Sequence, residues 1–148
     1  MVKIDDFPIV TRRTVSWGQM DAYRHVNNVQ YFRFIEDARI AYFEAMGIYA
    51  TEDLADLPEV GPILASASCR FLAPVVYPDT VLIGARTTEV GEDRFTMEYA
   101  VASETAGRVV AVADSVVVSY AYREGKKAKL PQAWRDAISA IEAKTQPE

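Results

Sequence analysis

One cysteine, one histidine and no excess of basic charge narrow the possibilities for this 148-residue chain before any motif is read. Cys69 has no partner for an internal disulfide, which fits a reducing, cytoplasmic location. His25 is the only imidazole, and no HxxxH or CxxC spacing occurs, so a metal centre is not expected. Sixteen Lys and Arg face 21 Asp and Glu, for a net charge of −5. Nucleic acid is therefore not an expected partner, because its phosphates need a basic face. The opening "MVKIDDFPIV" has no long apolar run and reads as neither a signal peptide nor a membrane span. There is no phosphate loop, dinucleotide fingerprint or G-x-S-x-G elbow. Seven glycines and seven prolines are too few for a collagen-like or disordered chain.

What the chain does have is apolar substance: half its residues are hydrophobic and 11% aromatic. That suffices for one core, and residues 1–148 read as a single domain. Pro8 to Trp17 mixes β-branched and polar residues as a strand does, and Gly18 and Asp21 break the pattern into a loop. "NVQYFRFIEDARIAYFEAM", Asn28 to Met46, has no Gly or Pro and predicts a long helix. Asn27 or Asn28 is its N-cap and Gly47 its C′ residue. Val29, Phe32, Ile35, Arg39 and Tyr42 form one row, and Tyr31, Phe34, Ala38 and Ala41 an adjoining one. So broad an apolar arc asks to be wrapped. Arg33, Glu36, Asp37 and Arg39 are expected to pair along the remaining polar face.

After "YATEDLADLPEVGP", read as a short helical turn and loop, come four strands: 63–75, 80–91, 94–105 and 108–123. Phe95, Met97, Tyr99 and Val101 alternate, as do Val110, Val112, Asp114, Val116 and Val118. Short breaks between the strands predict an antiparallel meander. A final helix follows Pro131, with Trp134, Ile138 and Ile141 on one face. The fold class is α+β: a long central helix packed on a five-stranded antiparallel sheet, with a short C-terminal helix.

The chemistry is concentrated in "SWGQMDAYRHVNNVQYF", Ser16 to Phe32, where polar groups gather just as the helix begins. This stretch, and "VSWGQMDAYRHVNNVQYFRFIEDAR" as a whole, resembles the hot-dog-fold acyl-CoA thioesterases of the 4-hydroxybenzoyl-CoA thioesterase type. Trp17, Gly18, Asp21, His25, Val26, Asn27, Asn28, Tyr31, Ala38 and Arg39 match that family's pattern, and "FLAPVVYPDTV" is similar to its second-strand ending. The resemblance implies a hot-dog fold, acyl-CoA as substrate, no cofactor, and a homodimer or homotetramer with sites between subunits. It also places the backbone N–H near Val26 against the reacting carbonyl, with Asn27 and Asn28 shaping the turn. Two positions depart from the pattern: Gln19 replaces the family's first aspartate, and Arg24 its glycine.

Hydrolysis of a thioester builds negative charge on the carbonyl oxygen, and the unpaired N–H groups at a helix start suit that charge. An amide cannot take water's proton, so Gln19 is left to orient water or donate to the carbonyl. The base is then His25, Glu36, Asp21 or a carboxylate from a neighbouring subunit. Each residue also has a plainer reading. Asp21 holds the loop equally well, Asn28 is equally an N-cap, and Tyr31 is a core residue or a pocket wall. Cys69 has no second histidine to activate it and reads as structural. Lys126, Lys127 and Lys129, after the last strand, are a solvated turn or contacts for coenzyme A phosphates, and Arg70 is a further contact of that kind. Two rivals stay open: a non-hydrolytic acyl-thioester binding protein, and a hot-dog hydratase or dehydratase.

Overall fold

Eighteen residues free of Gly and Pro, Asn28–Ala45, form the long helix α1. The side chain of Asn27 caps it by accepting the Val29 N–H at 2.9 Å. At the other end Gly47 takes φ 88°. Ile48 N–H then reaches Phe43 O at 2.9 Å and Gly47 N–H reaches Glu44 O at 3.0 Å. That pair of bonds is a Schellman ending, which glycine adopts without a Cβ penalty. The computed structural model describes residues 2–49 and 58–145, so most of the helical turn expected between 49 and 62 lies outside the described residues.

Around α1 curls one antiparallel sheet. Its strands are β1 (Ile9–Thr14), β2 (Gly61–Phe71), β3 (Thr80–Val90), β4 (Arg94–Ser103), β5 (Arg108–Ala121) and the short β6 (Lys126–Lys127), and helix α2 (Gln132–Glu142) follows. Their order in the sheet is β1-β3-β4-β5-β2, with β6 on β5. The expected meander holds for β3, β4 and β5 only. β2 does not neighbour β3; it pairs with β5 at the far edge, from Gly61 opposite Tyr120 to Phe71 opposite Ala111. "VVYPDT" is therefore a crossing connection and not a hairpin. A helix between β1 and β2 is enclosed when those strands take opposite edges. Local strand patterns carry no trace of that choice.

The inner face buries Phe95, Met97, Tyr99 and Val101, each fully, against Phe34, Ile35, Ala38, Tyr42 and Phe43 of the helix. On β5 the buried row is Ala111, Ala113, Ser115 and Val117, while Asp114 is exposed on the outer face. Small residues there leave room for Tyr99, whose hydroxyl lies 2.7 Å from Ser115 Oγ. Arg39 is not on the polar face with Glu36. It falls on the Ile35–Tyr42 row, is 8% exposed, and donates to the Tyr99 hydroxyl at 3.4 Å. Asp37 pairs with Arg13 at 3.0 Å instead.

The outer face is partly covered by the N-terminal segment. Phe7 sits over Gly84, where an added Cβ would stand 2.5 Å from the ring, and the Arg86 guanidinium lies 4.5 Å from the ring centre. At the C-terminal end Trp134, Ile138 and Ile141 bury the apolar face of α2 as expected. Its Glu142 carboxylate accepts the Tyr42 hydroxyl at 2.6 Å and the Thr87 N–H at 3.1 Å. The Thr87 N–H falls where β3 bulges against β4.

Asp79, just before β3, ties three segments together. Its carboxylate accepts from the Ser103 hydroxyl, from Thr80 N–H at 2.7 Å and from Thr105 N–H at 3.1 Å. Burial alone would raise this carboxyl's pKa, but the hydrogen bonds outweigh it and hold it below the usual carboxylate range. A carboxylate whose pKa is depressed by folding stabilises the protein above its unfolded pKa of about 3.9 and loses that contribution as pH falls through the folded value. Asp79→Asn is therefore expected to lower the melting temperature at pH 6–8, with the gap to wild type closing below about pH 4. Thermal denaturation of both proteins across that range checks it.

Candidate active site

The loop before α1 folds on itself before it meets the helix. Met20 and Val26 form an isolated antiparallel bridge. Between them Asp21 N–H bonds His25 O and Arg24 N–H bonds Asp21 O, both at 2.9 Å. This is a three-residue hairpin: a type I turn closed by a left-handed residue in a G1 bulge. Aspartate suits the first turn position because its side chain accepts the Tyr23 N–H, here at 2.9 Å. The left-handed position is Arg24, at φ 63°. The glycine of the family pattern is thus a backbone requirement that arginine meets at some conformational cost.

A cleft of about 490 Å³ opens beside this hairpin. Asp21, Tyr23, His25, Val26, Asn28 and Tyr31 line one side; Phe71, Leu72, Ala73 and Pro74 line the other. Tyr31 packs edge-on to Phe71, ring centres 5.0 Å apart. Five expected site residues, Asp21, His25, Val26, Asn28 and Tyr31, therefore meet at one surface. The imidazole of His25 is exposed and makes no hydrogen bond among the described residues.

The expected oxyanion donor needs correction. Val26 N–H is already donated to Val75 O at 2.8 Å, because Val26 is buried where the loop anchors to the end of the β2 segment. Asn27 N–H goes to Gln19 O at 2.9 Å, Val29 N–H to the Asn27 side chain at 2.9 Å and Gln30 N–H to Asn27 O at 2.9 Å. Among the described residues, the N–H groups of Asn28 and His25 have no acceptor, and both residues line the cleft. The open donors thus flank Val26 on either side.

Gln19 has a task of its own. Its side-chain carbonyl accepts Ser16 N–H at 2.8 Å and its amide donates to Gln30 Oε1 at 3.2 Å, and it does not line the cleft. Asp21 is similarly committed, with one oxygen on Tyr23 N–H and the other accepting the Asn27 amide at 3.2 Å. Glu36 is exposed on α1 and paired with Arg33 at 3.5 Å, away from the cleft because its position falls on the helix face that points outward. Cys69 is half-buried, its thiol pushed up to about 11 by burial, which matches a structural role.

The expected coenzyme A contacts are not gathered at the cleft. Arg70 alternates with Phe71 and so faces the outer side of the sheet, in a separate depression with Ser68, Glu98 and Asp114. Lys126 and Lys127 are exposed in β6, Lys127 beside Tyr120 and Lys126 paired with Glu124 at 3.3 Å. Phe71 and Tyr120 mark opposite ends of the β2–β5 ladder, which at about 3.3 Å per residue are roughly 30 Å apart. Residues 72–74 form the cleft's second wall without having been picked out from sequence. Their signal was the family-like "FLAP", read only as a strand ending.

Residues 15–138 match the family described as the thioesterase-like superfamily. The chain belongs to that superfamily. Among solved structures it is similar to a thioesterase from Thermus thermophilus crystallised with coenzyme A and zinc: 29% identity over 97% of this chain and 98% of that one, TM-score 0.78. The wrapped helix and curled sheet are accordingly a hot-dog fold. The chain is 33% identical over 79 residues to the 1,4-dihydroxy-2-naphthoyl-CoA hydrolase of Synechocystis (strain PCC 6803), covering 53% of this chain and 57% of that protein. To YsmA of Bacillus subtilis (strain 168) it is 26% identical over 93 residues, 63% of this chain and 60% of that protein. These matches span less than two thirds of both curated relatives' length. No three His, Cys, Asp or Glu side chains converge as a metal site among the described residues, nor is any helix among them long and apolar enough to cross a membrane.

The Asn27 side chain serves both the helix and the hairpin. Asn27→Ala is expected to cost about 1 kcal/mol from the lost cap, read as a lowered urea midpoint. Asn27→Asp, which keeps the acceptor but sets a carboxylate against Asp21, should recover only part of it.

Proposed function

We propose that this superfamily member is an acyl-CoA thioesterase that releases a free carboxylic acid and coenzyme A at the cleft between the 20–26 hairpin and the Phe71–Pro74 wall. The observation that supports it best is that one cleft is lined by His25, whose imidazole makes no hydrogen bond among the described residues, and by Asn28, whose N–H has no acceptor among them. The thioester carbonyl would lie with its oxygen on the N–H groups of Asn28 and His25, where the start of α1 adds the positive end of its dipole. His25 takes a proton from water as the oxygen adds to the carbonyl carbon. Collapse of the intermediate breaks the C–S bond, and the same proton goes to the departing sulfur. No cofactor enters this scheme. Tyr31 and Phe71 supply an apolar wall for the acyl group, and Asn27 and Asp21 hold the loop that carries the donors.

The exposed β2 edge supports the expected dimer. Ile63, Leu64 and Phe71 are 38%, 45% and 45% exposed, and an unpaired edge strand is a template for a second copy. Pairing β2 edge to edge about a two-fold axis inverts the partner's strand. The partner's β5–β6 hairpin then stands about three strand spacings, roughly 15 Å, from this cleft. A pantetheine arm, comparable to four extended residues at roughly 14 Å, spans that distance and not 30 Å. In this reading Lys126 and Lys127 serve the neighbouring subunit's substrate; Arg70, on the outer face, has no comparable route to it. A tetramer would pair two such dimers, and a reducing cytoplasm is the compartment that fits a single unpaired cysteine.

Thiol release from a panel of aliphatic and aromatic acyl-CoAs tests the reading. Wild type should turn over at least one member, and His25→Ala should lower kcat by about 10² to 10⁴ with an unchanged melting temperature. Coenzyme A binding without thiol release from any member would instead mark a non-hydrolytic binder, and enoyl-CoA hydration a hydratase.

A further inference from the structure

The 20–26 hairpin poses a question that its hydrogen bonds do not answer. Its G1 position needs a left-handed backbone, which glycine adopts freely and arginine does not. Arg24 holds φ 63° there, and its guanidinium makes no hydrogen bond or ion pair among the described residues. Among the described residues the guanidinium has no partner, so what arginine adds over glycine is a cation that the described part of the protein does not pair.

That cation is placed in a second depression. Trp17, Met20, Asp21, Arg24 and Val76 line a hollow of about 420 Å³. It adjoins the candidate cleft, because Asp21 lines both. Trp17 and Val76 are 70% and 48% exposed, an apolar floor beside which a guanidinium is less hydrated and binds an anion more strongly. Asp21 is the acidic residue among those lining the hollow, and both of its oxygens are already occupied by Tyr23 N–H and the Asn27 amide. In a chain of net charge −5, an uncompensated cation next to the reacting position favours a negatively charged substrate.

The geometry points to Arg24 as a specificity residue that binds an anionic oxygen group of the substrate in the hollow over Trp17. It rests on the thioesterase reading for the identity of the substrate. Phosphate of the carrier and carboxylate of the acyl group share this chemistry, and substrates that carry one or the other separate them.

Kinetics and equilibrium binding of wild type, Arg24→Gly and Arg24→Lys test it. With an acyl-CoA whose acyl group carries a carboxylate, so that both anions are present, Arg24→Gly should raise KM about tenfold, the loss of one charge-assisted hydrogen bond, while kcat moves less than twofold. The melting temperature should hold or rise, since glycine relieves the backbone. Arg24→Lys should recover much of the KM, because it restores the charge without the fork. If phosphate is the anion, the corresponding acyl-pantetheine shows the same KM in wild type and Arg24→Gly. If a carboxylate is the anion, a carboxylated acyl-pantetheine loses affinity in Arg24→Gly and a neutral one does not. Equal KM values for wild type and Arg24→Gly on every substrate overturn the inference, as does a fall in kcat at constant KM. Should wild type hydrolyse nothing, the thioesterase reading fails by itself. Calorimetric titration with coenzyme A and with a carboxylated acyl-pantetheine then decides Arg24: weaker binding of either by Arg24→Gly supports the inference, and equal binding of both overturns it.

Discussion

The bond from Val26 N–H to Val75 O, 2.8 Å long, fixes where the candidate site can be. It joins the mouth of α1 to the segment after β2, two pieces of chain about fifty residues apart. With that anchor in place Val26 is buried, His25 is turned outward, and the Phe71–Pro74 stretch becomes the opposite wall of the cleft. The same bond removes one N–H from the reactive inventory. A helix start presents several unsatisfied donors; here the Asn27 cap and the hairpin consume most of them. In the proposed hydrolysis the donors are those of Asn28 and His25, which have no acceptor among the described residues.

Commitments of this kind run through the whole loop. Gln19, Asp21 and Asn27 carry the polar side chains that look most reactive, and each is engaged in holding the hairpin to the helix. Such bonds lock the backbone that aims the free donors, and preorganised donors need no rearrangement as charge develops. Among the described residues the His25 side chain makes no such bond. An imidazole with no protein partner can exchange protons with water and substrate, which is what the proposed hydrolysis asks of it. Arg24 contributes differently: it accepts an unfavourable backbone and presents a charge.

Beyond the loop, the rest of the domain serves to keep α1 enclosed. The curled sheet buries one broad side of the helix, α2 closes the end near Tyr42 through Glu142, and Phe7 seals the back of the sheet over Gly84. The β2 edge stays open, with Ile63, Leu64 and Phe71 exposed along it. Hydrophobic edge strands are a liability in isolation, and here the edge ends at the cleft wall. Association and substrate binding are therefore proposed at adjoining surfaces.

The amino-acid order alone determined the elements and the identity of the loop. Absence of Gly and Pro from Asn28 to Ala45, the Asn27 cap, the Gly47 ending and the alternation of Phe95, Met97, Tyr99 and Val101 are local signals, expressed through bonds within a few residues. The Trp17–Tyr31 pattern likewise marked residues of one wall of the cleft, Asp21, His25, Val26, Asn28 and Tyr31. Only the tertiary structure decided which edge β2 takes, that Arg39 is buried against Tyr99, and that Asp79 ties β3 to the β4–β5 turn. It also decided that Val26 spends its N–H on Val75 while Asn28 keeps its own, and that Arg70 and the β6 lysines stand away from the cleft. Each of these depends on a partner distant in the chain, and a pattern of neighbours does not encode which distant carbonyl an amide will find.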